Sequence, residues 1–490
     1  MPDRVSVYLN NLINRWNKKY DTVLVYGAGG VAKDFLHIIT EVDAFKDLRK
    51  KIFIAVSEGA NSVSELCGIS VKQIGEFDGK SDNSLVIIAT MPVLVKTIEE
   101  NLKNKGFKNI VEIDEIVCSL YEEIWKEPVS NNKILFSNFA GNGFGGNAKY
   151  ILLELQKRRA DLDFVWLVND LDTEMPPEVR KVRYGSLDHY RELGTATVWV
   201  DNQHKNFLSR KRKGQYYIQS WHGIGPTKKI EFDAADTLSP SYLELCEYNS
   251  EMEDLFLSGS GFNTEMCRRG FHYYGEVLEC GYPRNDLLVN RIVDQNTIKE
   301  RLHLPNTCKL VLYAPTFRNE GLDPEQEINI PNICETLERK FGERFICLVR
   351  FHPNDPVGRN MTFNQGIINV TLYNDVQELL YISDILIADY SSLMWDFSLQ
   401  GKPVFLFHTD NEYYQAERGT YISPDQMPYV IAISNNDLCD KIALFDEEIY
   451  KEKLSKYFDE YQSFDKGKAA CEVADRIIDF IENGTSEPDR

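Results

Sequence analysis

Apolar residues follow two rhythms along this chain. Val5, Leu9, Leu12, Ile13 and Trp16 recur at helical spacing and predict an N-terminal helix with one buried face. Beyond it, short apolar runs of strand length alternate with segments of helical period, the pattern of parallel sheets covered by helices. Runs at 22–26, 52–56 and 85–89 predict a compact α/β unit closing near residue 118. A polar stretch at 128–132 reads as a linker. A second series of strands starts at 133–137 and continues at 164–168, 197–200 and 217–220. A third occupies 310–313, 345–350, 385–388 and 404–407, before a helix over 466–481. The expected division is therefore an N-terminal helix plus small Rossmann-like module over 1–128, then doubly wound units over 133–290 and 300–485.

The strand ends carry the chemistry. In open α/β sheets, ligands sit outside the carboxyl ends of the strands, so polar residues repeated at those positions mark a site. The 217–220 strand runs into Trp221-His222-Gly223, then Gly225-Pro226 and the pair Lys228 and Lys229. His222 is placed like a general base. The glycines let backbone approach a ligand, and the lysines put positive charge where an anionic substrate could sit. Later strands end in Gly281-Tyr-Pro-Arg-Asn-Asp286, Ala314-Pro-Thr-Phe-Arg318, Arg350-Phe-His-Pro353 and Asp389-Tyr-Ser-Ser392. In the front module, Gly27-x-Gly29-x-x-Ala32 fits a dinucleotide-binding turn, while the second strand lacks the acidic residue that would hold a ribose. NAD or another nucleotide there is one reading, and a scaffold whose glycines serve only the turn is the other.

Charge and cysteine usage narrow the class. A net charge of -20 argues against nucleic-acid binding, although Lys205, Arg210, Lys211, Arg212 and Lys213 form a local basic cluster suited to a phosphate-bearing acceptor or an anionic membrane surface. The ten cysteines show no zinc-type or disulfide-framework spacing, consistent with reduced thiols in the cytoplasm. Asp170-Leu-Asp172 reads as a loop rather than a metal site. No signal peptide and no apolar run of membrane-spanning length is present, so membrane association, at the inner face of the cell membrane, would be peripheral.

Taken together over roughly residues 133 to 480, these motifs resemble the CDP-glycerol glycerophosphotransferase family, enzymes of teichoic acid and phosphate-containing capsular polymer synthesis. The resemblance implies a GT-B-like pair of Rossmann-like domains, an acceptor half and a CDP-polyol donor half, with the active site between them. It implies His222 as base on the acceptor hydroxyl, and His352 as the group that bonds the pyrophosphate and helps CMP leave. Arg318, Ser391 and Ser392 would hold donor phosphate, with Gly223, Lys228, Lys229 and Asp389 supporting. Arg284 and Asp286 would be structural, in a mutual or backbone-linked pair. No metal and no cofactor is required by this chemistry.

The donor is expected to be CDP-glycerol or CDP-ribitol, and the acceptor a glycan or lipid-linked hydroxyl. A nucleotide-sugar glycosyltransferase of the same fold and a non-catalytic nucleotide-binding scaffold are the rival readings; intact His222 and His352 argue against the latter. Because both later units already hold every group the reaction needs, a chain beginning near Asn131 is expected to retain turnover.

Overall fold

The computed structural model describes residues 3–60, 63–223, 225–291, 293–316, 328–351, 358, 361–363, 366–409 and 419–484. Three sheets succeed one another along the chain. The first contains β1 (Thr22–Tyr26), β2 (Ile52–Val56), β3 (Glu65–Leu66), β4 (Ile69–Gln73), β5 (Ser84–Ile88) and β6 (Asn109–Glu112), in the order β3-β4-β2-β1-β5-β6. Only the β3/β4 pair is antiparallel. The second contains β7 (Lys133–Phe136), β8 (Asp163–Val168), β9 (Arg180–Arg183), β10 (Val198–Asp201), β11 (Tyr216–Gln219), β12 (Leu255–Leu257) and β13 (Glu276–Leu278), in the order β13-β12-β11-β10-β7-β8-β9. The third contains β14 (Lys309–Ala314), β15 (Phe345–Val349), β16 (Ile367–Asn369), β17 (Ile385–Ala388), β18 (Val404–Phe407) and β19 (Val430–Ala432), in the order β16-β15-β14-β17-β18-β19.

The second and third sheets are parallel throughout, and in each the strand order reverses beside its first strand. These reversals, between β7 and β10 and between β14 and β17, open crevices at the strand ends. The central strands are buried on both faces, which explains their unbroken apolar runs. Sequence reading passed over β9, β12, β16 and β19: all are only three or four residues long, β9, β16 and β19 are partly exposed, and Arg180–Arg183 is mostly charged.

The last helix, Ala469–Asn483, leaves the third sheet and packs on the Gly146–Arg158 helix, adding Ala469, Val473, Ala474 and Ile477 to the core beneath the second sheet. Asp286 fixes this return by accepting from the backbone N–H groups of Ala469 and Ala470, at 3.1 and 2.8 Å.

The front module is not a tethered appendage. Val5, Leu9, Ile13 and Trp16 bury the apolar face of the first helix, and their core runs on through Leu187, Tyr190 and Leu193 to Leu135, Val165 and Trp199 of the second sheet. The helices Ile113–Ile124 and Leu187–Thr195 meet so closely that a Cβ at Gly194 would lie 2.3 Å from Ile124 Cγ2. The basic cluster belongs to the same junction. Arg212 donates to the carbonyls of Trp125 and Glu127 at 2.9 and 2.8 Å, Arg210 pairs with Asp114, Lys211 with Asp254, and Lys205 is buried against Asp201 at 2.6 Å. These four cations are therefore committed internally, which corrects the reading of the cluster as an anion-facing surface.

Gly27 takes φ +120, and a Cβ there would lie 2.8 Å from the Ala89 carbonyl oxygen, so both the backbone angle and the space at this turn call for glycine. Ser57, just beyond β2, bonds Tyr26 at 2.8 Å, and Glu58 accepts the Gly75 N–H at 2.7 Å.

Because one core spans the junction, a chain starting at Asn131 is expected to aggregate on size-exclusion chromatography, against the sequence-based expectation of an active truncation. Gly194→Val should lower stability by about 1–3 kcal/mol through overpacking, read from the thermal or denaturant midpoint. A soluble, monomeric truncation of undiminished stability would refute the shared core.

Candidate active site

His222 stands in the turn after β11, half-buried, with its ring 5.1 Å from that of Phe139 and 4.4 Å from that of Trp221. Its Nδ1 lies 2.6 Å from the Asn202 carbonyl oxygen. A carbonyl only accepts, so Nδ1 carries the proton and Nε2 presents the lone pair, the tautomer a base requires. Burial pushes the His222 pKa down to about 4; the Asn202 carbonyl opposes that shift, and Lys228 and Arg284 add to it. The ring is neutral at physiological pH.

Asn202 is itself anchored at the switch point, donating to Asn138 Oδ1 at 2.8 Å and accepting from the Phe139 N–H at 2.8 Å. Asn147, one residue into the Gly146–Arg158 helix, donates to the carbonyls of Ser220 and Trp221, both at 3.3 Å. The His222 ring is thus held from one wall of the crevice and the backbone just before it from the other. Neither asparagine was singled out from sequence; polar residues at the end of β10 and just inside a helix after a glycine run were the available signals.

The opposite wall belongs to the third sheet. Asp389, after β17, accepts from the Thr316 N–H at 3.0 Å, the Thr316 hydroxyl at 2.8 Å and the Tyr390 N–H at 2.6 Å. Its carboxylate ties the ends of β14 and β17 together. Ser391 Oγ accepts the Leu393 N–H at 3.3 Å, while the Ser392 hydroxyl makes no capping bond to the short helix Leu393–Ser398. His408, which sequence reading missed, stacks on Tyr390 at 4.3 Å and has Nε2 3.1 Å from the Asp389 carbonyl.

The two walls touch. A Cβ at Gly223 would lie 3.2 Å from Ser392 Oγ, and one at Gly225 would lie 3.2 Å from the Trp395 ring. Gly143 and Gly145 approach Asn374 and Asp375 as closely, at 2.9 and 3.1 Å from the nearest atom. Lys228 pairs in a β-bridge with Thr420, and the Lys229 N–H donates to the Gly419 carbonyl at 3.1 Å, leaving both lysine side chains exposed beside the crevice. Thr227, Lys228, Asp389, Tyr390 and His408 line a narrow cavity at this junction.

Arg284 is the buried tie between units. Its Nε lies 2.8 Å from Asp396 Oδ2 and its Nη2 3.3 Å from Oδ1, while Asn285 and Gln377 also donate to Asp396, at 3.1 and 3.2 Å. A mutual Arg284–Asp286 pair was one form expected; instead Arg284 reaches across to Asp396, while Asp286 takes the backbone bonds described above. Arg350 spends Nη1 on the Val370 and Tyr373 carbonyls, at 3.2 and 2.6 Å, and burial lowers its pKa to about 10. Asp170 Oδ1 accepts the Asp172 N–H at 2.9 Å, as a loop residue would. Arg318 and His352 lie outside the described residues.

A switch-point crevice bearing a neutral histidine, facing a second that bears a hydroxyl-rich turn, is the arrangement of a GT-B-like pair of units. The chain belongs to the CDP-glycerol:poly(glycerophosphate) glycerophosphotransferase family, whose model matches residues 119–479. It is 32% identical over 381 residues to a teichoic acid poly(glycerol phosphate) polymerase of Staphylococcus epidermidis, covering 73% of this chain and 52% of that protein. It is 28% identical to a teichoic acid glycerol-phosphate transferase of Staphylococcus aureus, covering 76% of this chain and 99% of the relative. The solved wall teichoic acid polymerase TagF, in a crystal soaked with CDPG, superposes with a TM-score of 0.67 at 29% identity, over 79% of this chain and 96% of that one.

Two substitutions test this geometry. Gly223→Val should cut turnover at least ~10-fold in a folded protein by pushing the His222 turn off Ser392, with Ser392→Gly restoring part of it. Asp396→Ala strands a buried guanidinium and should cost about 3–5 kcal/mol in denaturant unfolding. Full activity in the first variant, or unchanged stability in the second, would contradict these contacts.

Proposed function

We propose that this chain transfers glycerol phosphate from CDP-glycerol to a hydroxyl of a teichoic acid acceptor, a glycan or lipid-linked chain, and releases CMP. The observation that carries the reading is the His222 turn. It presents a neutral imidazole with its Nδ1 proton committed to Asn202, on a loop in contact with the Ser392 turn of the opposite unit. Glycerol is favoured over ribitol because the glycerol-phosphate relatives reach 32% identity, whereas ribitol-phosphate polymerases of Bacillus spizizenii and Staphylococcus aureus match at 24% and 25%. Among the described residues, no helix is long and apolar enough to cross a membrane.

In this reading the acceptor oxygen attacks the β-phosphorus of CDP-glycerol and forms the new P–O bond. The bond from that phosphorus to the bridging oxygen breaks, and the electron pair leaves with CMP. His222 Nε2 takes the hydroxyl proton. Ser391, Ser392, Lys228 and Lys229 meet donor phosphate in this reading, with Arg318 and His352 assigned to the donor side by motif. A base with a pKa of about 4 is weak, but the donor brings two negative phosphates beside it. Opposite charge favours the imidazolium, so donor binding should raise the His222 pKa toward the working range.

Incubation with CDP-glycerol, CDP-ribitol and nucleotide sugars, scored by the nucleotide released, tests the donor; release from a nucleotide sugar alone would overturn the reading. His222→Ala and His352→Ala should each reduce CMP release by roughly 100-fold or more with the fold intact. The pH profile should split. The acid limb of kcat/KM, which reports the free enzyme, should fall near pH 4, while that of kcat should be displaced upward. A kcat/KM limb near the ordinary histidine value would remove His222 as the titrating base.

A further inference from the structure

Beside Trp221, three segments of the second unit converge on a buried cluster that the transfer chemistry does not use. His204 comes from the turn after β10, Glu231 from the end of the segment that begins at His222, and Cys246 from the helix Pro240–Met252. Their imidazole nitrogen, carboxylate oxygen and sulfur all lie within 4.8 Å of one another. Cys246 Sγ is 2.9 Å from Glu231 Oε2, and His204 Nε2 is 3.7 Å from Glu231 Oε1.

The cluster is enclosed and incompletely bonded. The side chains of His204 and Glu231 are 7% and 5% exposed. Neither ring nitrogen of His204 has a hydrogen-bond partner, and Glu253 Oε2 has none either. Leaving a buried polar atom unbonded costs about 1–3 kcal/mol, so an imidazole with both nitrogens unmet needs a reason. Glu231 is also held at φ 44, the left-handed region that a glutamate rarely occupies, while Tyr242 Oη donates to its Oε1 at 3.0 Å.

We propose that His204, Glu231 and Cys246 bind one zinc-class divalent ion. A nitrogen, an oxygen and a sulfur donor suit zinc, whereas magnesium and calcium select oxygen alone. On binding, the Cys246 thiol releases its proton to solvent and a metal–thiolate bond replaces its contact with Glu231; no electron is exchanged. Trp221 lies with its ring 5.1 Å from that of His204, and Glu231 closes the far end of the same segment. A bound ion would pin both ends of the stretch that carries His222, so its role is to hold that loop rather than to react. The site does not depend on which donor the enzyme uses.

The test uses the full chain, freed of metal by chelation and titrated with zinc and with cobalt(II). About one ion per chain should bind, raise the thermal midpoint, and give the cobalt form a thiolate charge-transfer band in the near ultraviolet. Cys246→Ser should abolish the band, and Glu231→Gln should weaken binding at least ~10-fold. Cys118→Ser, at an exposed thiol, should change nothing. Wild-type protein that neither binds zinc nor shifts its midpoint, or binding that survives Cys246→Ser, would overturn the site and leave a plain His204–Glu231 ion pair. The wild-type titration decides the question even where a variant fails to fold.

Discussion

Arg284 and Asp396 bury opposite charges, and both are almost fully removed from water. An ion pair in that position stands only if its remaining hydrogen-bonding capacity is met, and here the partners that meet it belong to different parts of the chain. Asn285 and Gln377 complete Asp396, and Asn285 also bonds Asp465, whose Oδ1 in turn accepts the Tyr282 N–H. The Arg284 backbone N–H donates to Asn147 Oδ1, and Asn147 uses its amide protons on the Ser220 and Trp221 carbonyls. A continuous polar path thus joins the helix that follows Ser392 to the backbone that carries His222. Loss of one charge would disturb the His222 turn as well as overall stability.

The close approach between the units follows from glycine. At positions 143, 145, 223 and 225 the space that a side chain would take is filled by the other unit. A run such as Gly141-Asn-Gly-Phe-Gly-Gly146 reads in sequence as a flexible turn before a helix, and only the opposite wall reveals what the missing side chains make room for. Electrostatics add a second constraint. His222 is kept neutral by burial and by two cations, Lys228 and Arg284, whose charge also favours an anion nearby.

Much of this was legible in the chain itself. The buried central strands announced themselves as apolar runs because parallel strands covered on both faces leave no polar alternation, and β17 and β18 fall at the residues expected. His222 and the 389–392 turn were legible because glycines, serines and charges cluster where strands end. Long-range pairing was not. Nothing local to Arg284 tells that its carboxylate lies 112 residues onward rather than two, because that choice is made by the return of the chain between units. The edge strands were missed for a different reason: few residues and half-exposed faces leave too little periodicity to read.

The basic segment at 205–213 shows why charge counted along a chain does not give charge on a surface. Taken alone it is a patch for an anion. In the fold, Arg210 pairs with Asp114 in the first turn of the helix Ile113–Ile124, while Arg212 reaches the turn after that helix, where the carbonyls of Trp125 and Glu127 accept from it. Carbonyls at a helix C-terminus carry partial negative charge, so arginine is suited to that place. The same residues therefore fasten the front module to the sheet that carries His222, over an apolar core common to both. Its Rossmann-like turn is built on a glycine that serves the chain's own geometry, and its apolar faces support the second sheet. The module is thus joined to the second unit by packing and by these bonds.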